Sequence, residues 1–384
     1  MSPNRTYLDY NATAPLRPEA SAALVEALGR CGNASSVHSE GRAARASIEA
    51  ARADVAGLVN AEPAQVIFTG GGTEANNLAI RGVIGAEGVT RILVPGIEHP
   101  SVLETAAAAA AGVPVRRIAV TSEGLADLAD LQRALSDDDG RALVCVMLAN
   151  NETGAIQPVM EIARLAHEHG ALMHTDAVQA AGKVETDFRV LGVDMMALSG
   201  HKIGGPQGVG ALIVRDGIKL DPQALGGGQE LKRRAGTENV PAIAGFGAAA
   251  RCAADGLAGT AAIAELRDHM ERAIVSRLPD AVVLCAGTSR LPNTTCLAVP
   301  GVSAEYLVIA LDLAGFAVSS GSACSSGKVA RSHVLEAMGL DGDTGDSAVR
   351  VSLGWANEPG EIDRFAGALV EICERKLNAA ANAA

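Results

Sequence analysis

A lysine placed directly after an apolar run, with serine and histidine before it and glycines behind, is poorly explained as an ordinary surface cation. The stretch DMMALSGHKIGGPQGVGALIV puts Lys202 there, just past Ser199 and His201. The apolar run before it, ALMHT, leads into Asp176. An amine and a carboxylate at neighbouring strand ends suit an aldehyde cofactor. The amine holds the carbonyl as a Schiff base, and the acid keeps a ring nitrogen protonated so that the ring withdraws electrons. Pyridoxal phosphate needs that pair. Asp176 beside such a nitrogen contributes roughly 1.5–3 kcal/mol, about one to two powers of ten in rate.

Polar clusters follow the other apolar runs as well. VIFT leads to Gly70, Gly71, Gly72, Thr73 and Glu74; RILVPG to Ile97, Glu98 and His99; LVCVMLA to Asn150, Asn151 and Glu152. In open α/β sheets ligands lie at the carboxyl ends of strands, so these clusters are expected along one edge of one sheet. The glycine cluster, between a strand and a helix start, offers free backbone N–H groups to an anion. It also reads as a simple tight turn, or as G-x-G-x-x-A (Gly70, Gly72, Ala75), the dinucleotide fingerprint. A dinucleotide site gives Lys202 no role. A second candidate is Cys324, in SSGSACSSG. A lone cysteine is most often structural, yet this serine and glycine loop has no apolar periodicity to bury it and suits an exposed nucleophile. His167 and His169 fall at a helix end, where partial positive charge suits the macrodipole, and His174 has no evident partner. With no H-x-x-x-H on a helix and no clustered carboxylates, no metal is expected.

The elements that must position these residues follow from the pattern. From about 66 to 214 short β-branched runs alternate with helical stretches, predicting an α/β fold with a mostly parallel sheet covered on both faces. From about 255 a mixed pattern follows, with helices near 261–278, 303–313 and 359–377 and strands near AVVLC, TTCLAVP and AVRVSLG. The 384 residues are 48% hydrophobic but include only five Phe, three Tyr and one Trp, so the core is built from aliphatic side chains. The formal charge of −12 opposes direct nucleic-acid binding. The longest charge-free stretch, Leu313 to Gly327, is too short and polar to span a membrane. The seven cysteines are scattered and none forms C-x-x-C. With no secretory pattern at the start, a reducing cytoplasm is expected.

Taken together, YLDYNATAP (7–15), NASSVHSEGRAA (33–44), FTGGGTEANNLAI (68–80), EHPSVL (98–103), NNETG (150–154), HTDAVQAAG (174–182), SGHKIGGPQGVGAL (199–212), RAGTEN (234–239), SSGSACSSG (319–327) and RVSLG (350–354) resemble, in order and over nearly the whole chain, the cysteine desulfurases. The resemblance implies a pyridoxal-phosphate enzyme of fold type I that converts L-cysteine to L-alanine and holds the sulfur as a persulfide on Cys324. It implies a homodimer whose large cofactor domain spans 16–254 and whose smaller α+β domain comprises 1–15 and 255–384, carrying a cysteine loop of the longer type. Lys202 takes the place of the Schiff-base lysine and Asp176 that of the ring-nitrogen partner. Gln179 contacts the phenolic oxygen, and His99 stacks on the ring as an acid–base group that helps deprotonate the substrate thiol. Gly72, Thr73, Ser199 and His201 hold the phosphate, and Thr237 reaches the phosphate of the neighbouring subunit. Asn151 lies beside cofactor and substrate, and Arg350 clamps the substrate carboxylate. The implied acceptor of the sulfur is a protein such as an iron–sulfur scaffold, or the machinery of tRNA thiolation. Another enzyme of the same cofactor and fold, an aminotransferase or a selenocysteine lyase, is the alternative. The chain departs from the family pattern at Ala34, where proline is common, and after Cys324, where it reads SSGKVARSHVLEAMG, with the basic Lys328 and Arg331, and many relatives have an acidic residue and a proline before Ser-His.

Overall fold

The computed structural model describes residues 5–109, 112–138, 140–320, 331–340 and 342–382. A short strand, β1 (Thr6–Tyr7), and two helices, α1 (Pro18–Leu28) and α2 (Ser39–Leu58), precede the large sheet. Strand and helix then alternate through β2 (Val66–Thr69), α3 (Gly72–Ala86), β3 (Arg91–Pro95), α4 (Pro100–Ala109), β4 (Val115–Ile118), α5 (Leu128–Ser136), β5 (Ala142–Cys145), α6 (Val159–Glu168), β6 (Leu172–Asp176), the one-turn α7 (Phe188–Leu191), β7 (Met195–Ser199) and β8 (Gly210–Val214). These strands lie in the order β2, β8, β7, β6, β5, β3, β4. Only β8 runs antiparallel to its neighbours.

The alternation of side chains along each strand divides the interior into two layers. Leu143 and Cys145 of β5 face α3 and α4, while Ala142 and Val144 join the layer under α2, α5 and α6. Covered on both sides, β2, β3 and β5 to β8 are buried throughout, which is why their sequences read as unbroken apolar runs. The edge strand β4 is the exception, with Arg117 exposed where an outer strand benefits from charge. The run LVCVMLA is longer than its strand. β5 ends at Cys145, and the chain continues along β6 through bonds from Val146 N to the His174 carbonyl (3.1 Å) and Leu148 N to that of Asp176 (2.9 Å).

The second half contains α8 (Val240–Asp255), α9 (Thr260–Arg277), β9 (Val282–Val283), β10 (Thr294–Ala298), α10 (Ala304–Leu313), β11 (Phe316–Ala317), β12 (Ser319–Ser320), α11 (His333–Ala337), α12 (Gly342–Asp346), β13 (Ala348–Ser352) and α13 (Pro359–Ala381). β12, β13, β10 and β9 form an antiparallel sheet with its own apolar cluster, including Met270, Leu307, Val349, Val351 and Phe365. Leu8 belongs to that cluster, and β1 pairs in parallel with β11. The N-terminal segment is therefore built into the second sheet's neighbourhood, and it passes from there to the end of the large sheet.

The loop after β8 is fixed by a buried ion pair. Glu230 accepts from Arg52 Nη1 and Nη2 (2.8 and 2.9 Å) and from Phe68 N (3.0 Å). These bonds hold Glu230, Leu231 and Lys232 in left-handed conformations (φ 46°, 54° and 65°), which cost energy for residues with a Cβ. Of the cysteines, Cys145, Cys285, Cys296 and Cys373 are buried, and burial raises the pKa of each thiol.

Candidate active site

The carboxyl ends of β2, β3, β5, β6 and β7 converge on a cavity of about 290 Å³. Gly72, Thr73, His99, Asn151, Asp176, Gln179, Ser199, His201, Lys202 and Arg350 all line it. Thr237 does not. It is exposed, away from this chain's cavity. Cys324 and Lys328 lie outside the described residues. Among the further lining residues that the sequence reading missed are Asn11, Ala12, Asn76, Ser101 and Met147.

Backbone geometry opens the anion end. Gly71 has φ 152°, a conformation that L side chains rarely adopt, and it caps α3 without any side-chain bond. A Cβ on Gly210 would sit 2.6 Å from both the Gly71 carbonyl carbon and the Leu198 oxygen, so glycine alone lets β8 pass this close to the turn. Asp127 caps α5 by accepting from Ala129 N and Asp130 N, and Ser332 caps α11 by accepting from Leu335 N, whereas α3, like α1, α6 and α9, has no side-chain cap. The uncapped α3 leaves its first N–H groups and the positive end of its dipole to a ligand.

The carboxylate end is supported from behind. Asp176 Oδ1 accepts from Val178 N (3.0 Å) and Oδ2 from Asn76 Nδ2 (2.7 Å). Asn76 Nδ2 also reaches Ser101 Oγ (2.9 Å), and its Oδ1 faces His174 Nε2 (2.9 Å). Burial pushes His174 down to about 4, so the neutral ring donates from Nε2 and fixes the Asn76 amide. That is the partner the sequence did not reveal for His174. His167 Nε2 contacts the buried Asp194 carboxylate at 3.0 Å, an anchor additional to its place near the end of α6. His169 contacts the Leu165 carbonyl through Nδ1 (3.0 Å).

His99 is oriented by Ser101, whose backbone N lies 3.0 Å and whose Oγ lies 2.7 Å from Nδ1. Because the backbone group can only donate, Nδ1 is an acceptor and the neutral ring carries its proton on Nε2. Burial lowers the pKa of His99, with Asp176 opposing and Lys202 and His333 adding to the shift. His201 is pushed down to about 4 by burial, then by Lys202 and Lys183, and its Nδ1 lies 3.2 Å from Thr13 Oγ1. Lys202 Nζ donates to the carbonyls of Asn11 (2.5 Å) and Ala12 (2.9 Å). The buried Arg350 donates from Nη1 to the Asn151 carbonyl (3.0 Å) and from Nη2 to Asp9 Oδ1 (2.7 Å). Those bonds use two of its five N–H donors. Its Nε has no partner among the described residues.

Beside this wall, Ser332 Oγ donates to Glu152 Oε2 at 2.5 Å, and His333 Nε2 lies 2.9 Å from the Glu98 carbonyl oxygen. Burial pushes the Glu152 carboxyl up to about 7, against the Ser332 bond and the Arg350 charge. An acid whose pKa rises on folding from the ordinary glutamate value of 4.5 contributes its full stability below that value and loses it as pH climbs through 7. The difference is worth about 3 kcal/mol. Glu152→Gln keeps an oxygen for Ser332 and removes the charge. Thermal midpoints of both proteins at pH 5 and pH 8 are therefore expected to show a fall in the native protein that the variant lacks in part. Equal falls would refute the assignment.

The donor set fits pyridoxal phosphate on features visible here: an uncapped helix start for the phosphate, a supported carboxylate for the ring nitrogen, and an amine at the next strand end. A Cβ on Gly72 would meet Val178 Cγ2 at 2.8 Å, so the cradle depends on its absence.

Residues 6–365 match the family model described as aminotransferase class-V. A cysteine desulfurase of Cereibacter sphaeroides is 44% identical over 376 residues, 97% of this chain and 96% of the relative. A NifS-like protein from Rickettsia africae superposes with a TM-score of 0.89 at 34% identity, covering 96% of this chain and 99% of that one. SspA, solved in complex with cysteine, superposes with a TM-score of 0.78 at 30% identity, covering 90% and 98%.

Proposed function

We propose, from the premise that this chain belongs to the class-V aminotransferase family and to its cysteine desulfurases, that the cavity binds pyridoxal phosphate and L-cysteine and that Cys324 takes up the substrate's sulfur. The observation that carries this reading is the meeting of Lys202 and Asp176 on one cavity whose other end is the uncapped start of α3.

When bound, pyridoxal phosphate supplies an electron sink that stabilises negative charge at the substrate Cα. The backbone of Gly72 and the side chains of Thr73, Ser199 and His201 would hold its phosphate. The Asp176 carboxylate would keep the ring nitrogen's proton in place, and Gln179 would donate to the phenolic oxygen. Asn151 would border ring and substrate. Arg350, with donors left over from Asp9 and Asn151, would clamp the substrate carboxylate. Lys202 would anchor the cofactor and then carry the proton of Cα. His99, its ring held by Ser101 at Nδ1, would help deprotonate the substrate thiol. The Cys324 thiolate attacks the substrate sulfur: an S–S bond forms, the Cβ–S bond breaks, and the carbon fragment keeps the electron pair and is protonated to alanine.

Residues 16–254 form the cofactor domain in this reading, with 1–15 and 255–384 forming the smaller one. The exposed Thr237 would serve a second copy in a homodimer. The persulfide passes to a protein acceptor, such as an iron–sulfur scaffold or a component of tRNA thiolation, in the cytoplasm. No helix among the described residues is long and apolar enough to cross a membrane.

Protein loaded with the coenzyme is expected to release alanine and sulfide in equal amounts from L-cysteine in the presence of a thiol reductant. Cys324→Ala is expected to lose sulfide release by about a hundredfold or more while keeping the coenzyme's absorption. Turnover that requires a keto acid and is indifferent to Cys324→Ala would mark an aminotransferase instead.

A further inference from the structure

Lys183 is a second lysine at the back of the site, and the reaction described above gives it no task. It stands just past Gly182, a left-handed residue (φ 72°) that ends the turn carrying Gln179. Its Nζ donates to Gln179 Oε1 (2.7 Å) and to Asn11 Oδ1 (2.8 Å). Burial holds its pKa well below the usual lysine value, with Lys202 and Arg350 adding to that shift. A lysine amine kept in such a place is costly unless its bonds are used.

Lys183 Nζ gives one hydrogen to Asn11 Oδ1 and one to the Gln179 amide oxygen, and a neutral amine with two N–H groups makes both bonds as an ammonium does, so it is the amide oxygen that faces Lys183. The amide nitrogen is thereby turned the other way, where Nε2 donates to the Asn11 carbonyl at 2.9 Å. That nitrogen has a second hydrogen, and Gln179 lines the cavity. The Asn11 carbonyl also accepts from Lys202 Nζ, so one peptide oxygen registers both the anchoring amine and the amide. Asn11 is itself held by Thr294 Oγ1 (2.8 Å) and Asn293 Nδ2 (3.1 Å).

We propose that Lys183 is a positioning residue: it locks the Gln179 amide so that a donor, never the carbonyl oxygen, faces the phenolic oxygen of the bound coenzyme. A donor there stabilises negative charge on that oxygen and weakens its hold on the proton it shares with the Lys202 nitrogen. Without the lock, that proton is held more tightly and leaves at higher pH. This inference rests on the reading of the cavity as a pyridoxal-phosphate site.

The test is a pH titration of the visible absorption of the loaded protein, with no substrate and no turnover. Lys183→Met, close in shape and without a donor, is expected to move the midpoint up by about half a pH unit or more. In a Gln179→Ala background the same change is expected to move it by less than half as much, because Lys183 acts through Gln179. Lys183→Gln, which restores one donor, is expected to shift in the same direction by a smaller amount, and it serves as the probe should the Met variant lose its fold by circular dichroism. A midpoint unchanged in the soluble variant, or an equal shift with and without Gln179, overturns the proposal. Native protein that shows no coenzyme absorption after loading overturns the cofactor reading itself, an outcome separate from either of these.

Discussion

Lys202→Ala is expected to reduce L-cysteine turnover by at least about a thousandfold, since one side chain is asked both to anchor the coenzyme and to move the Cα proton. The fold should survive. The Asn11 carbonyl keeps its bond from Gln179 Nε2, and the Ala12 carbonyl faces the cavity. Lys202→Arg keeps the charge but is expected to be as inactive, because a guanidinium does not give up its proton at neutral pH. Small primary amines added to the alanine variant should restore part of the rate. Alanine formation measured with and without added methylamine checks this. A variant that keeps a tenth of the native rate contradicts the role.

Arg350→Leu carries the second large effect. The native guanidinium joins Asp9 and the Asn151 carbonyl, and its Nε has no partner among the described residues. Truncating one partner of a buried, hydrogen-bonded charge pair, here the pair with the substrate carboxylate, costs about 2–5 kcal/mol of binding, or roughly one to four powers of ten in kcat/KM. The loss is expected mainly in KM for L-cysteine, with the coenzyme's absorption retained. Lysine should rescue little, since one ammonium cannot serve Asp9, the Asn151 carbonyl and a bidentate carboxylate together. Steady-state kinetics of the three proteins decide it. An unchanged KM in the leucine variant removes Arg350 from the substrate site.

What was legible in the sequence is what is local. β6 and β7 announce themselves because both faces are buried, and Asp176 and Lys202 follow because strand ends in such sheets meet ligands. Helices α1, α2 and α8 were not foreseen. Alanine-rich α1 and α8 show little contrast between faces, and α8 packs so tightly that a Cβ on Gly247 would lie 2.7 Å from that of Ala51 in α2. Two-residue strands such as β1 and β11 are too short to show any period. The supporting residues were hidden for a different reason. Asn76 meets Asp176 across 100 residues of chain, and Asp9 meets Arg350 across 341. Such a partnership leaves no trace in the spacing of either neighbourhood.

The docking of residues 6–11 has a consequence for biosynthesis. β1 finds its partner only at Phe316 and Ala317, Tyr10 N donates to the Ser352 carbonyl, and the Asn11 carbonyl faces Lys202 and Gln179. Chains emerge from the ribosome amino end first, so the large sheet with its lysine and aspartate is translated long before the segments that tether those opening residues. Residues 6–11 are made before the segments around 316 and 352 that secure them, and a polypeptide terminated ahead of those segments therefore lacks the completed catalytic wall.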